Sequence, residues 1–100
     1  MFDKMKQMME MQKKMQEMKR ELDNTNFEIA SSDGLIKITM NGSQEVKEVA
    51  LTKESQGLEK TQLEKAIKDA YNRAIKRSHE IAADKMKQIT GFNLPGLMQG

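Results

Sequence analysis

The stretch of sequence that decides the fold is Gly34-Leu35-Ile36-Lys37-Ile38-Thr39-Met40-Asn41-Gly42. Ile36, Ile38 and Met40 fall on one face of an extended chain, and this alternation is typical of a β-strand with one buried face. The stretch closes on Asn41-Gly42, two residue types that tolerate the positive φ angles of a tight hairpin turn. The sequence therefore predicts a central strand over residues 35–40 that leads into a hairpin.

Two further strands are predicted, one on each side of the central strand. Phe27, Ile29 and Ser31 alternate with Glu28 and Ala30 and predict a first strand, and Ser32-Asp33-Gly34 predicts a turn after them. Residues 45–51 predict a third strand whose apolar positions miss perfect alternation by one step, which indicates a β-bulge. Because the connections are short, we expect a three-stranded antiparallel β-meander.

The chain before the sheet predicts one long helix, because residues 3–23 contain no Gly or Pro and are rich in good helix formers. A heptad repeat places Met1, Met8, Met15 and Leu22 at position a and Lys4, Met11 and Met18 at position d. This pattern predicts a coiled-coil-like seam of about three heptads. Three interpretations of the seam remain open: packing on another helix, an adaptable peptide-binding surface, or a thioether site for Cu(I).

A second long helix is predicted after the sheet, from Thr61 to about Ile89. Thr61-Gln62-Leu63-Glu64 has the form of a capping box at its start. Its apolar residues form a broad stripe suited to covering a sheet and continuing past it: Leu63, Ile67, Ala70, Ala74, Ile81 and Ile89, flanked by Tyr71, Ile75, Ala82 and Met86. Residues 1–90 are thus predicted to form a single α+β domain, with residues 91–100 as a flexible tail containing Gly and Pro.

Composition limits the classes of function. With 37% hydrophobic and 4% aromatic residues, the core of one chain is expected to be thin, and we expect a second copy of the chain to complete it. The absence of cysteine excludes disulfides, thiolate zinc clusters and a thiol nucleophile. We expect a cytoplasmic protein without membrane association, because no signal-peptide core or membrane-spanning apolar run is present.

No constellation of residues indicates catalysis. His79 is the only histidine, no nucleophile is accompanied by a base, and the glycines form no nucleotide-binding pattern. We therefore expect a protein that is not an enzyme and that uses no cofactor, metal ion or small-molecule substrate.

Charge is distributed unevenly along the chain, whose net charge is +2. Residues 1–23 carry six Lys/Arg against five Asp/Glu, residues 24–58 carry three against five, and residues 59–100 carry eight against five. Basic residues arrayed on helices can contact DNA phosphates without reading sequence, although a solvated helix face has the same composition. The scarcity of aromatic residues argues against single-stranded nucleic acid as the partner.

Several motifs together resemble the YbaB/EbfC family of bacterial nucleoid-associated proteins. They are the Met-rich helix over Met8–Leu22, the strand over Gly34–Gly42, Ala70-x-Asn72-x-Ala74, and Lys85-Met86 followed by Gly91 and Leu94-Pro95-Gly96. The resemblance implies a tweezer-like homodimer of small α+β subunits whose helices project from a joined β-core. It also implies DNA binding with weak or variable sequence preference, and roles in nucleoid organisation and gene regulation.

In that family the projecting terminal helices are the proposed DNA-contacting parts. The resemblance therefore assigns duplex DNA binding to basic residues of the two helices: Lys13, Lys14, Arg20, Lys68, Arg73, Lys76 and Arg77. An alternative is a coiled-coil protein-interaction or chaperone-like module of the prefoldin type that uses the Met-rich seam. That module requires two helices with matched heptads, whereas the apolar stripe of the second helix has a spacing nearer eleven residues.

Overall fold

The computed structural model describes residues 2–90, and the predicted tail lies outside them. The elements are helix α1 (Phe2–Asp23), strands β1 (Asn26–Ala30), β2 (Ile36–Asn41) and β3 (Val46–Leu51), a short 3-10 turn (Lys53–Ser55) and helix α2 (Lys60–Thr90). This order confirms the predicted α+β fold. The protein is elongated, with extents of 66 × 24 × 17 Å.

The three strands form one antiparallel sheet in the order β1-β2-β3, which confirms the meander. The predicted bulge is also confirmed. Thr39 pairs with Glu48 and Met40 pairs with Val46, so Lys47 of β3 has no partner in the ladder. An extra residue of this kind increases the local twist of the strand.

Helix α2 packs across β1 and β2 to form the main core. Its buried Ala66, Ala70 and Ala74 recur every fourth residue and meet the buried face of β2, which consists of Ile36, Ile38 and Met40. Because these alanines share one face of the helix, only small side chains separate the helix from the sheet, and the helix axis can lie close to it. The predicted stripe was wrong in two places, because Ile67 and Tyr71 are each 45% exposed while Ala66 lies in the core.

A second, smaller core joins the two helices beyond the end of the sheet. Met18 and Leu22 of α1 pack against Ile81 and Ala82 of α2. The helices run antiparallel there, since the sheet ends beside the last turn of α1 and α2 continues past it along α1.

Among the described residues, the rest of the predicted methionine seam does not pack on the second helix. Met8, Met11 and Met15 are 66%, 49% and 48% exposed. Helix packing is therefore confirmed only at Met18 and Leu22. The physical reason is length, because α2 as described runs only to Thr90, beside the final turns of α1, and no other described segment covers the preceding turns.

The hairpin between β2 and β3 differs from the turn that Asn41-Gly42 predicted. The residue with a positive φ is Gln44, at 67°, and Gly42 is not in that region. Gln44 donates its N–H to the Asn41 carbonyl at 3.1 Å, which gives a turn followed by one left-handed residue. Gly42 is needed for space instead, because a Cβ at that position would lie 2.8 Å from Cδ2 of Leu22.

The start of α2 also differs from the prediction. The helix begins at Lys60, and the carbonyl of Glu59 accepts the amides of Gln62 and Leu63 at 3.1 and 3.2 Å. Thr61 therefore lies inside the first turn, where it cannot act as the N-cap residue. The predicted capping box is wrong.

Candidate nucleic-acid interface

Helix α1 carries three of the predicted DNA-binding residues on its exposed turns. Lys13 and Arg20 are seven residues apart on one face, separated by about 10 Å along the helix axis. They line a shallow depression together with Gln16 and Glu17. Lys14 lies beside Lys13 on the neighbouring face. Within residues 2–90, none of the three basic side chains forms an ion pair.

Helix α2 carries the other four, and two of these are also unpaired. Lys68 and Lys76 are exposed on the side of α2 that points away from the sheet, about 12 Å apart along the axis. Neither side chain has an acidic partner in the described part of the chain. An unpaired ammonium group keeps its full charge available to a phosphate.

Arg73 and Arg77 differ from Lys68 and Lys76, because each arginine already has a carboxylate partner. Arg73 Nε lies 3.3 Å from Asp69 Oδ2, and Arg77 Nη1 lies 3.1 Å from Glu80 Oε2. Both pairs are about half exposed, and such surface pairs contribute about 0–1 kcal/mol. A phosphate can therefore replace these partners, but it has to compete for them.

Asp69 is itself fixed by the turn between β1 and β2. Its Oδ2 accepts the backbone N–H of Ser32 at 2.7 Å. This hydrogen bond, followed by the one from Arg73, holds the pKa of the Asp69 carboxyl below its ordinary value. The contact fixes the rotation of α2 relative to the sheet and thereby directs Lys68 and Lys76 outward.

The same turn is held internally by Asp33. Its Oδ1 accepts the Ser31 hydroxyl at 2.6 Å and the Leu35 N–H at 3.1 Å, and these two bonds lower the pKa of Asp33. The Ser31 hydroxyl oxygen in turn accepts the N–H of Ile36 at 3.1 Å. The β1–β2 turn that contacts α2 is therefore held in place by its own hydrogen bonds.

Helix α1 is anchored at its C-terminal end by a buried amide. The side chain of Asn41 donates to the Asp23 carbonyl at 3.2 Å and accepts the amides of Ser43 and Glu45 at 3.0 and 2.9 Å. Ser43 also donates its hydroxyl to the Asp23 carboxylate at 2.5 Å, and this bond, followed by one from Lys19, lowers the pKa of Asp23. The hairpin thus sets the direction in which α1 leaves the sheet.

Sequence reasoning assigned no positioning role to Asn41 or Asp23. A signal was present, because Asn followed by Gly and Ser is typical of a turn in which the Asn side chain binds nearby amides. The sequence did not show that the C-terminal end of α1 lies beside that turn.

The seven predicted residues do not form one cluster in a single chain. Lys13 and Lys14 lie on the part of α1 that α2 leaves uncovered, whereas Lys68 and Arg73 lie on the half of α2 that covers the sheet. The structure therefore separates the basic residues onto two helices, and five of the seven are unpaired within residues 2–90.

Residues 2–90 contain neither a metal-binding cluster nor a membrane-spanning helix. No group of three or more His, Cys, Asp or Glu side chains is placed to hold a metal ion there. No helix in that range is long and apolar enough to cross a membrane. Fold and charge together define a class of small α+β proteins in which two long helices with unpaired basic residues extend from a three-stranded meander.

Comparison with known sequences identifies the family within this class. Residues 1–93 match the YbaB/EbfC DNA-binding family, and the chain belongs to that family. A nucleoid-associated protein of Hahella chejuensis is 38% identical over 96 residues, which cover 95% of this chain and 89% of the relative. Nucleoid-associated proteins of Dictyoglomus turgidum and Ruminiclostridium cellulolyticum are 35% and 33% identical, covering 94% and 93% of this chain and 92% and 84% of the relatives.

Proposed function

We propose that the protein binds double-stranded DNA as a homodimer through the basic faces of α1 and α2, with weak or no sequence specificity. We place it in the cytoplasm at the nucleoid, where it contributes to nucleoid organisation and gene regulation. The observation that carries this proposal is the set of unpaired cations on two helices of a member of a DNA-binding family: Lys13, Lys14, Arg20, Lys68 and Lys76.

The chemistry of these residues favours the phosphate backbone as the target. Four of the five are lysines, whose compact ammonium groups bind phosphates as point charges without selecting a base. Lys13 and Arg20 are about two turns apart on one face of α1, so this pair can follow a line of phosphates. Weak sequence preference follows, because backbone contacts position a protein on DNA but carry no sequence information.

The homodimer is supported first by an uncovered apolar face on β3. Val49 pairs with Ile38, and Leu51 pairs with Ile36, so both side chains point to the same side of the sheet as the core. Helix α2 covers this side only over β1 and β2. Val46, Val49 and Leu51 are consequently 42%, 55% and 62% exposed.

Helix α2 extends this apolar face. Asp69 accepts a hydrogen bond from Ser32 in the β1–β2 turn, so the flank of α2 that carries Asp69 faces β1. Ile67 and Tyr71 lie on the opposite flank of the helix and therefore face the uncovered β3. Together these residues form what we call the β3–α2 surface: Val46, Val49, Leu51, Ile67 and Tyr71.

A second copy of the chain is the occupant that fits this surface. Contiguous exposed apolar side chains next to an open strand edge mark an interaction site, and a two-fold dimer would bury the same patch from both subunits. The pairing would complete a core that one chain leaves thin. It would also place two sets of basic helices on one particle and double the cations available to one DNA duplex.

One observation favours the alternative of a protein-interaction module, namely the exposure of Met8, Met11 and Met15. Flexible methionine side chains suit an adaptable protein contact. Within residues 2–90, however, the contact between α1 and α2 is limited to the C-terminal turns of α1. This arrangement does not provide the full-length helix pairing of a coiled-coil chaperone.

The proposal is tested by fluorescence anisotropy at low salt with two duplexes of equal length and unrelated sequence, and by light scattering on the same sample. We expect saturable binding to both duplexes with similar Kd and a mass of two chains. A dimer that leaves both duplexes free would rule out the DNA-binding part. A monomer that binds both would rule out the dimer and leave DNA binding in place.

A further inference from the structure

DNA binding through the basic helix faces does not use the exposed part of the methionine seam on α1. We call Met8, Met11 and Met15 the methionine surface of α1. Each of these side chains has about half or more of its area in solvent. Apolar side chains that lie together at helical spacing on a projecting helix are normally covered by another segment.

The methionine surface continues an existing interface. Met11 and Met15 lie seven residues before Met18 and Leu22, so all four side chains share one face of α1. Met18 and Leu22 are buried against α2, at 8% exposure each. A segment that covers the methionine surface would therefore lie along the continuation of the α2 axis.

The next residues of the same chain begin close to the methionine surface. Glu21 of α1 lies 3.8 Å from Lys85 of α2, and α2 runs on from Lys85 toward the N-terminal end of α1 as far as Thr90. Ten residues follow Thr90 in the sequence. Their extended reach is about 33 Å, whereas Met15 and Met8 are separated by about 10 Å along the helix.

The composition of this segment suits an apolar surface. Residues 91–100 contain no charged side chain. Their large apolar residues are Phe92, Leu94, Leu97 and Met98. Methionine side chains are unbranched and polarizable, so they can adapt to apolar side chains of varied shape.

We propose that residues 91–100 bind the methionine surface of α1 in the same chain and extend the α1–α2 contact toward the N-terminus. The docked segment replaces the flexible tail expected from its Gly and Pro content. It leaves Lys13 and Arg20 free, because these residues lie on the opposite side of α1.

The absence of native cysteine allows a direct test by disulfide crosslinking of the full chain. Met11→Cys combined with Leu94→Cys places one thiol on the methionine surface and one in the segment. Lys13→Cys combined with Leu94→Cys is the matched control, since Lys13 lies on the far side of α1. Under mild oxidation we expect a disulfide within one chain for the first pair and its loss in the control.

Two results would overturn the proposal. Equal crosslinking of both pairs, or none in either, would show that the segment does not dock. A disulfide only between two chains would show that another copy covers the methionine surface.

A second measurement does not depend on cysteine variants. The rate at which dilute peroxide oxidises Met11 is followed by mass spectrometry in the native chain and in the Phe92→Ser, Leu94→Ser variant. We expect several-fold faster oxidation in the variant and no change in an Asn93→Ser, Gln99→Ser control, because only the apolar side chains would shield the sulfur. Equal rates in all three proteins would contradict the docked segment.

Discussion

The backbone amide of Gly42 lies 2.9 Å from the carbonyl oxygen of Leu22, and this contact joins the β2–β3 hairpin to the last turn of α1. The same amide lies 3.0 Å from the carbonyl of Thr25. A helix that ends against a sheet needs partners for its final carbonyl groups, and Gly42 supplies one of them. The direction of α1, and with it the position of Lys13 and Arg20, depends on this close approach.

We predict that Gly42→Ala destabilises the protein. The new Cβ would lie 2.8 Å from Cδ2 of Leu22 and 3.1 Å from its carbonyl oxygen, so both the side chain and the backbone have to move. Overpacking of this kind costs about 1–3 kcal/mol. Urea denaturation at fixed protein concentration should show a lower midpoint. Gln56→Ala, in an exposed turn, is the control, and equal midpoints for the two variants would show that the contact with Leu22 does not require a glycine at position 42.

We predict that acid weakens the link between the β1–β2 turn and α2. Ser32 and then Arg73 lower the pKa of Asp69 in the folded protein. Because the folded value is depressed, this contribution to stability is complete above the ordinary value of 3.8 and is lost as the pH falls through the folded value.

Asp69→Asn removes the titrating group, so the variant should lose less stability than the native chain between about pH 5 and about pH 2. Urea midpoints measured across this range provide the comparison. Asp84→Asn is the control, since Asp84 is exposed and has no ion pair within residues 2–90. Parallel pH profiles for the native chain and Asp69→Asn would show that the hydrogen bond from Ser32 does not depend on the charge.

We predict that Val49→Lys separates the dimer. Val49 is 55% exposed in the single chain, and the β3–α2 surface would bury it against the second copy. A charge in that interface should raise the dimer Kd at least about tenfold, or about 1.4 kcal/mol. Analytical ultracentrifugation measures the change. Glu48→Lys, which points to the other side of the same strand, should leave the dimer intact, and the β3–α2 assignment fails if the two variants behave alike.

We predict that Lys68→Glu combined with Lys76→Glu weakens DNA binding without affecting the dimer. A dimer would lose four cations, and if all four meet phosphates the salt slope should fall in magnitude by about 3.6. Anisotropy titrations with one duplex, together with light scattering, separate the two effects. Normal DNA affinity in this variant would mean that the outer face of α2 is only solvated.

The control for that variant is Lys37→Glu combined with Lys47→Glu. It makes the same change in charge on the sheet, where both lysines already have acidic partners at 3.9 and 2.8 Å. We expect a smaller loss of affinity, since only the general electrostatic attraction decreases.

The parts of the fold that depend on local pattern could be predicted from the sequence. Alternation over Ile36–Met40 gave the central strand, and its interruption after Val46 gave the bulge, because strand periodicity is a property of neighbouring residues. The close contact between Gly42 and Leu22 could not be predicted. Its role depends on the distance to Leu22, which is set by how the helix and the hairpin meet.

The same limit applies to the candidate interface. The sequence could place Lys68 and Lys76 on the outer face of a helix, because helical spacing is local. It could not show that Asp69, the partner of Arg73 four residues along the helix, is fixed by Ser32, 37 residues earlier in the chain. The extent of helix packing at the methionine seam was also unpredictable, since it depends on where α2 ends relative to α1.

We propose that the four unpaired lysines and Arg20 on the two helices bind DNA phosphates. The most direct test is the salt dependence of duplex binding by the native protein, measured by fluorescence anisotropy. Log Kobs should fall linearly with log salt concentration, with a slope of about −0.9 for each phosphate neutralised. Binding whose affinity stays constant across the salt series would contradict the claim.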